Sequence, residues 1–271
     1  MIVPARQALR LVYQPRVVSR TRRVVGAEAL LRSGLPGFRG VSPERLISNA
    51  ERSGSIFRLS EWVMHTACAD AMTWAGKGGA FMAISVNVTA PEVHQPSFVD
   101  DILRTVKAAR LPPDSFEVEI TESQLLSVSR SVTDRLRALR SNGIRIAVDD
   151  FGTGFASFRY LSQLPIDTLK IDRSFVMKLP QSLVDSEIVT ACIHLGDTLG
   201  LTVVAEGVET SEQRDFLEEH GCEQAQGYLF GRPMPAKDFL RRCTISLGRP
   251  LCGVSSNDAL NRSIDRYRQA S

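Results

Sequence analysis

Short apolar runs rich in Val, Ile and Leu recur along the chain at 9–14, 24–31, 81–88, 115–120, 144–149, 166–171, 201–205 and 222–229, the last being the weakest. Runs of this length read as strands. Between most of them the apolar positions change to a 3.6-residue period. Ser42 before Pro43 is a helix start, and Ile56, Leu59, Val63 and Ala67 follow as one stripe in the longest such segment. Val132, Leu136 and Leu139 make a second stripe stopped by Gly143, and Ile188, Cys192, Leu195 and Leu199 a third stopped by Gly200. Thr210 with Gln213 reads as a capping box for a fourth. Strands alternating with helices over about 240 residues predict an α/β fold, a (β/α)8 barrel of TIM type, with a doubly wound open sheet as the alternative. No internal repeat or low-complexity segment interrupts the alternation. The stretch 244–271 lies outside it, a tail in which Leu260, Ile264 and Tyr267 line one face of a short helix.

Polar residues collect at the carboxyl ends of these runs. Glu28, Asn87, Glu119, Asp149 with Asp150, Lys170 and Glu206 each close one, and Gln14 and Gln226 lie near the ends of the first and last. In a barrel those ends converge on one mouth, so residues far apart in sequence become neighbours. The set holds Glu28, Glu119, Asp149, Asp150 and Glu206 against the single Lys170. Two like charges about 5 Å apart repel by roughly 3 kcal/mol at an effective dielectric near 20, and a whole domain is stable by only about 5–15 kcal/mol. Such a cluster needs neutralising. Carboxylate and amide oxygens without a nearby His or Cys are the ligands of a hard divalent cation, Mg2+ or Mn2+, and two such ions with one lysine balance the acids. The adjacent Asp149 and Asp150 fit that count, one bridging two ions and the other binding the second.

Each residue alone has a plainer reading. A carboxylate after a strand is more often a helix cap or a solvated loop residue, Lys170 a salt-bridge partner, Asn87 a turn residue, and Gly152 with Gly154 a flexible loop. The set carries the argument. His65, His94, His194 and His220 have no metal spacing, and Ser or Cys nucleophile motifs, a Walker loop and H-E-x-x-H are absent. A net charge of +3 with acids and bases intermixed offers no tract for a nucleic-acid polymer. With 43% apolar residues the chain can build a sizeable core, yet no run reaches a membrane span and the first residues lack a signal-peptide core. Five scattered cysteines without a C-x-x-C pair argue against a disulfide framework and for a reduced cytoplasm.

Taken in order, YQP at 13–15, EALLR at 28–32, SVNV at 85–88, EITES at 119–123, DDFGTG at 149–154, LKID at 169–172, AEGVET at 205–210 and QGYLFGRPMP at 226–235 resemble an EAL-domain cyclic di-GMP phosphodiesterase over residues 10–243. The resemblance implies a modified TIM barrel, one strand antiparallel, spanning residues 1–243, that hydrolyses cyclic di-GMP to linear pGpG with Mg2+ or Mn2+. It implies that Glu28, Asn87, Glu119 and Asp149 hold one ion and Asp149, Asp150 and Glu206 the other. Lys170 would orient or deprotonate the attacking water with Gln226 close by, and Gln14, Leu30 and Arg32, together with Asn87, Asp150 and Gln226, would contact substrate. Glu122 would fasten the loop that begins at Phe151 and carries Gly152 and Gly154. Ca2+, which prefers longer bonds and more ligands, is expected to inhibit.

A homodimer is implied, through the loop after Asp150 and its helix. The family often has Trp where this chain has Ser33, and Tyr-Ser where it has Phe155 and Ala156, departures that touch loop dynamics and affinity more than chemistry. With no sensor or GGDEF domain in the sequence, regulation is expected from this domain, its tail, a protein partner or expression. Two other classes compete: a non-catalytic cyclic di-GMP receptor, and an enolase-like barrel acting on a carboxylic acid.

Overall fold

The computed structural model describes residues 9–34, 41–74, 81–126, 129–154 and 161–246. Eight strands follow one another around a closed barrel: β1 (Leu9–Val18), β2 (Val24–Ser33), β3 (Ala83–Asn87), β4 (Phe116–Thr121), β5 (Arg145–Phe151), β6 (Thr168–Ile171), β7 (Thr202–Ala205) and β8 (Gln224–Gln226). Closure rules out the open doubly wound sheet. Residues 19–23 are too few for a crossover helix, so β2 must return beside β1 in the opposite direction. Accordingly β1 is antiparallel to both β2 and β8, and all other neighbours are parallel.

The helices are α1 (Pro43–Arg52), α2 (Ile56–Trp74), α3 (Ala90–His94), α4 (Phe98–Ala109), α5 (Glu122–Leu126), α6 (Arg130–Ser141), α7 (Arg173–Val176), α8 (Leu183–Leu199), α9 (Ser211–Glu219) and α10 (Ala236–Ser246). Ser42 caps α1 by accepting from the Arg45 N–H, Gly200 closes α8 in the left-handed conformation at φ 68°, and Thr210 with Gln213 forms the capping box of α9.

Three details differ from the periodicity. The long segment after Ser42 is two helices, because the Ser53 and Gly54 N–H groups turn back onto Asn49 and Glu51 and end α1 before Ile56. The sequence reading named no helix between β3 and β4, where α3 and α4 stand. The final run, expected over 222–229, is a strand only to Gln226. Beyond it the chain leaves the sheet and pairs with Val208, whose N–H donates to Gln226 O at 3.1 Å while Leu229 N donates to Val208 O at 3.0 Å. The helix expected near Leu260 lies outside the described residues.

The apolar core fills the space between barrel and helices. Outward-facing Tyr13 packs edge-on against Trp74 at 4.7 Å, and Trp74 meets Phe239 at 4.5 Å, tying β1 to α2 and α10. Each such buried ring contributes about 1.5–3 kcal/mol. The barrel interior is polar by contrast: Arg16, Glu28, Ser85, Glu117, Glu119, Thr168, Lys170 and Gln226 are all buried.

Candidate active site

Alternation along a strand sends every second side chain inward. Glu28 from β2, Glu119 from β4, Asp149 from β5 and Lys170 from β6 therefore meet inside the mouth, joined by Glu206 just after β7. Lys170 is the hub. Its Nζ lies 2.8 Å from Glu206, 2.9 Å from Glu119, 3.0 Å from Asp149 and 3.7 Å from Glu28. Asn87 Nδ2 donates to Glu28 Oε1 at 2.9 Å, Gln226 Nε2 donates to Glu28 Oε2 at 2.5 Å, and the same amide reaches Gln14 Oε1 at 3.3 Å.

Consecutive strand residues face opposite sides, so two adjacent aspartates ought to part company. β5 breaks that rule. Its register against β6 shifts between Val148 and Phe151, and Asp150 takes φ 55°, left-handed backbone that strains a side-chain-bearing residue by about 1–2 kcal/mol. Asp150 N–H donates to Asp149 Oδ1 at 3.0 Å. Both carboxylates then turn to the mouth.

The acids gather into two triads. One oxygen each from Glu28, Glu119 and Asp149, and one each from Asp149, Asp150 and Glu206, lie within 4.8 Å of one another, with Asp149 shared. Glu119 Oε1 is buried without a hydrogen-bond partner among the described residues. A converging, shared set of hard oxygen donors with a spare buried oxygen fits divalent cations.

The electrostatics follow from burial and crowding. Burial, then Asp149 and Glu28, push Glu206 up to about 8 against the pull of Lys170. Burial, then Asp149 and Asp172, raise Asp150 to about 6. Glu119 is held well above the usual carboxylate range by burial and by its acidic neighbours. Burial would raise Glu28 too, but Lys170 and the amides of Gln226 and Asn87 bring it below its ordinary value. Burial alone would lower Lys170, yet the four carboxylates around it hold its ammonium far above the ordinary lysine value.

Beside the mouth, buried Glu122 at the start of α5 accepts from Gly152 N at 2.9 Å and Gly154 N at 3.1 Å through the same oxygen. Gly152 has φ 100°, and a Cβ on Gly154 would lie 2.8 Å from Glu122 Oε1. Phe151, buried, pairs with Ile171. Leu30 and Arg32 continue the Glu28 face of β2 outward, and Arg32 Nη1 donates to Leu31 O at 2.8 Å. Neither makes a direct contact with the acids among those described. Phe155 and Ala156 lie outside the described residues. The histidines stay structural where their contacts are defined, His94 Nδ1 on Ala90 O and His220 Nδ1 on Phe216 O.

The sequence reading missed a buried charge layer below the acids. Arg16 Nη1 bonds Glu117 Oε1 at 2.6 Å, and Thr168 Oγ1 donates to Glu117 Oε2 at 2.7 Å. A charged residue inside an apolar strand run, two positions from a mouth residue, was the available signal.

Comparison with known proteins agrees with this fold. The model of the EAL domain family matches residues 3–233. A bifunctional diguanylate cyclase/cyclic di-GMP phosphodiesterase, MucR of Pseudomonas aeruginosa, is 39% identical over 235 residues, covering 87% of this chain and 34% of that protein. The cyclic di-GMP phosphodiesterase NbdA of the same organism is 40% identical over 254 residues, covering 91% of this chain and 32% of NbdA. The chain thus spans about a third of the length of these relatives. A solved structure described as PaMucR phosphodiesterase in complex with c-di-GMP superposes with TM-score 0.81 at 38% identity, covering 86% of this chain and 95% of that one.

Proposed function

The chain belongs to the EAL domain family, and on that premise we propose that it hydrolyses cyclic di-GMP to linear pGpG with two divalent cations, Mg2+ or Mn2+, and so lowers the level of this second messenger. The observation that carries the reading is the pair of acid triads sharing Asp149. Glu28, Glu119 and Asp149, with the amide oxygen of Asn87, would hold one ion, and Asp149, Asp150 and Glu206 the other. Bound there, divalent cations stabilise charge on a phosphate and lower the pKa of a water.

The chain's own residues do the rest. Lys170, ringed by four carboxylates, would orient or deprotonate the attacking water at the floor of the mouth. Gln226 fixes Glu28 and reaches Gln14, giving substrate an amide surface on that side. Leu30 and Arg32, further out on the same strand face, meet substrate, with the Arg32 guanidinium gripping a phosphate oxygen. Glu122 fixes the loop from Phe151 through Gly154 beside Asp150. Assembly as a homodimer goes with this reading; the implied contact after Asp150 runs into residues 155–160, outside those described.

A receptor that binds cyclic di-GMP without cleaving it is the competing reading. The full complement of acids around Lys170 favours hydrolysis, because a pure binder has no use for two cation sites at the floor of its pocket. Incubation with cyclic di-GMP and Mg2+, with and without EDTA, tests it: pGpG formed only without EDTA supports the proposal, and binding without product sinks it.

A further inference from the structure

Arg16, Glu117 and Thr168 cross the barrel interior one layer beneath the acid cluster, and each is two residues from a member of the mouth. Glu117 precedes Glu119 on β4, Thr168 precedes Lys170 on β6, and Arg16 follows Gln14 on antiparallel β1. Two residues along a strand are about 7 Å and the same face. Gly26 on β2, two before Glu28, makes the room: a Cβ there would lie 3.1 Å from Arg16 Nε and 3.0 Å from Ala83 O. Arg16 and Glu117 are 5% and 0% exposed. A buried ion pair seldom stabilises a fold more than apolar side chains of the same size would, so packing does not explain this one. Its position does. Without Arg16, Glu117 would be a sixth negative charge directly under Glu119; without Glu117, Arg16 would stand as an uncompensated cation beneath a cation site.

We propose that the Arg16–Glu117 pair is a charge-setting floor for the cation site, with Arg16 a positioning residue that cancels Glu117 and ties β1 to β4 under Glu119. Thr168, by its bond to Glu117, extends the tie to β6 and Lys170. The inference rests on the divalent-cation reading above. Its signature is a reversal of sign. Loss of Glu117 leaves extra positive charge below the site and weakens cation binding, whereas loss of Arg16 leaves extra negative charge and strengthens it. A merely structural strut would weaken binding in both cases.

The test is calorimetric titration of Mn2+ into the full chain at pH 8, with circular dichroism to verify folding. Glu117→Gln should raise the Mn2+ Kd by at least about tenfold and Arg16→Met should lower it by a similar factor. The double variant Arg16→Met/Glu117→Gln and the charge-preserving Arg16→Lys should both stay within about twofold of wild type. Single variants that both weaken binding, or that both leave it unchanged, overturn the inference while the cation reading stands. Should one single variant fail to fold, the other decides: an affinity change of the expected sign that the double variant and Arg16→Lys do not show supports the floor, and no change, the opposite sign, or a tenfold loss in either of those two proteins overturns it. A wild-type chain that binds no Mn2+ overturns the cation reading and this inference with it.

Discussion

The Lys170 ammonium lies 2.8 Å from Glu206 Oε1, the shortest of its four carboxylate contacts. Lys170→Met deletes all four. A group that orients and deprotonates the attacking water contributes on the order of 10²–10⁴ in rate, whereas a counter-ion contributes mainly to cation affinity and to stability without cations. The expected outcome is a kcat lower by about 10²–10⁴ at saturating Mg2+ in a protein that still melts cooperatively. A loss that added Mg2+ fully restores would reduce Lys170 to a counter-ion.

Glu28→Ala removes one anionic donor and strands the Asn87 and Gln226 amides that it accepts from. Leaving such partners unpaired costs about 1–3 kcal/mol. Hydrolysis should fall to background while cyclic di-GMP still binds through Arg32 and Gln14, measured by a coupled turnover assay and by fluorescence anisotropy. Near wild-type turnover in Mg2+ would refute the ligand assignment.

The two raised carboxyls predict how pH acts on the cation-free protein. Glu206 goes from 4.5 to about 8 and Asp150 from 3.8 to about 6 on folding. Between those limits the folded state binds more protons than the unfolded one, so stability falls as pH rises. In EDTA the melting temperature should therefore decline from about pH 5 to about pH 8 through these groups. Mg2+ competes with the same protons, and the gain in melting temperature on adding it should grow over that interval. A Mg2+ gain that shrinks with rising pH would contradict the assignment.

Glu122 holds Gly152 and Gly154 through one oxygen, so Glu122→Ala frees the loop beside Asp150. Loss of a buried acceptor for two N–H groups costs about 1–3 kcal/mol locally. The expected result is a kcat lower by about 10–10² with Mg2+ affinity within about threefold of wild type, because the ligands themselves stay on or directly beside their strands. Gly154→Ala, which drives a Cβ against the same carboxylate, should fall in the same direction. Equal loss of metal binding and rate would tie Glu122 to the acids instead of the loop.

Ca2+ should displace Mg2+ and inhibit. It takes six to eight oxygens at about 2.3–2.6 Å where Mg2+ needs about 2.0–2.1 Å, and the triads are built from strands that cannot separate freely. Titrating Ca2+ into the Mg2+ enzyme should give competitive loss of turnover. An enzyme equally fast with Ca2+ alone would refute the strict geometry.

Much of this architecture was legible in the runs of apolar residues, since short runs alternating with helix patterns imply a barrel and the ends of the runs mark its mouth. Glu28, Glu119, Asp149, Lys170 and Glu206 came from that logic alone. What periodicity cannot give is who meets whom across the barrel, because that depends on register. The four contacts of Lys170 and the pairing of Arg16 with Glu117 are cross-barrel facts of this kind. Asp150 was legible as a residue and not as a geometry: two adjacent aspartates say nothing of the shift in β5 or of a left-handed backbone. The break between α1 and α2 was hidden because the apolar stripe of α2 begins after a gap of only three residues from the end of α1.

The seam between β1 and β8 sets a timetable for synthesis. Tyr13 exchanges both backbone hydrogen bonds with Met234, and Gln14 meets Gln226 across a separation of 212 residues. While the chain emerges from the ribosome, the outer edge of β1 has no strand to pair with until nearly the whole domain has been translated, and contacts of such long range form late. An unpaired edge held open for that time is a template for association with other nascent chains. Pro15, with no N–H to offer, and Arg16, with its charge, stand at the start of the stretch where β8 will dock, Arg16 opposite Gln226. A missing N–H and an inward-pointing charge both blunt an exposed edge, which leaves the unfinished barrel less open to its neighbours on the polysome.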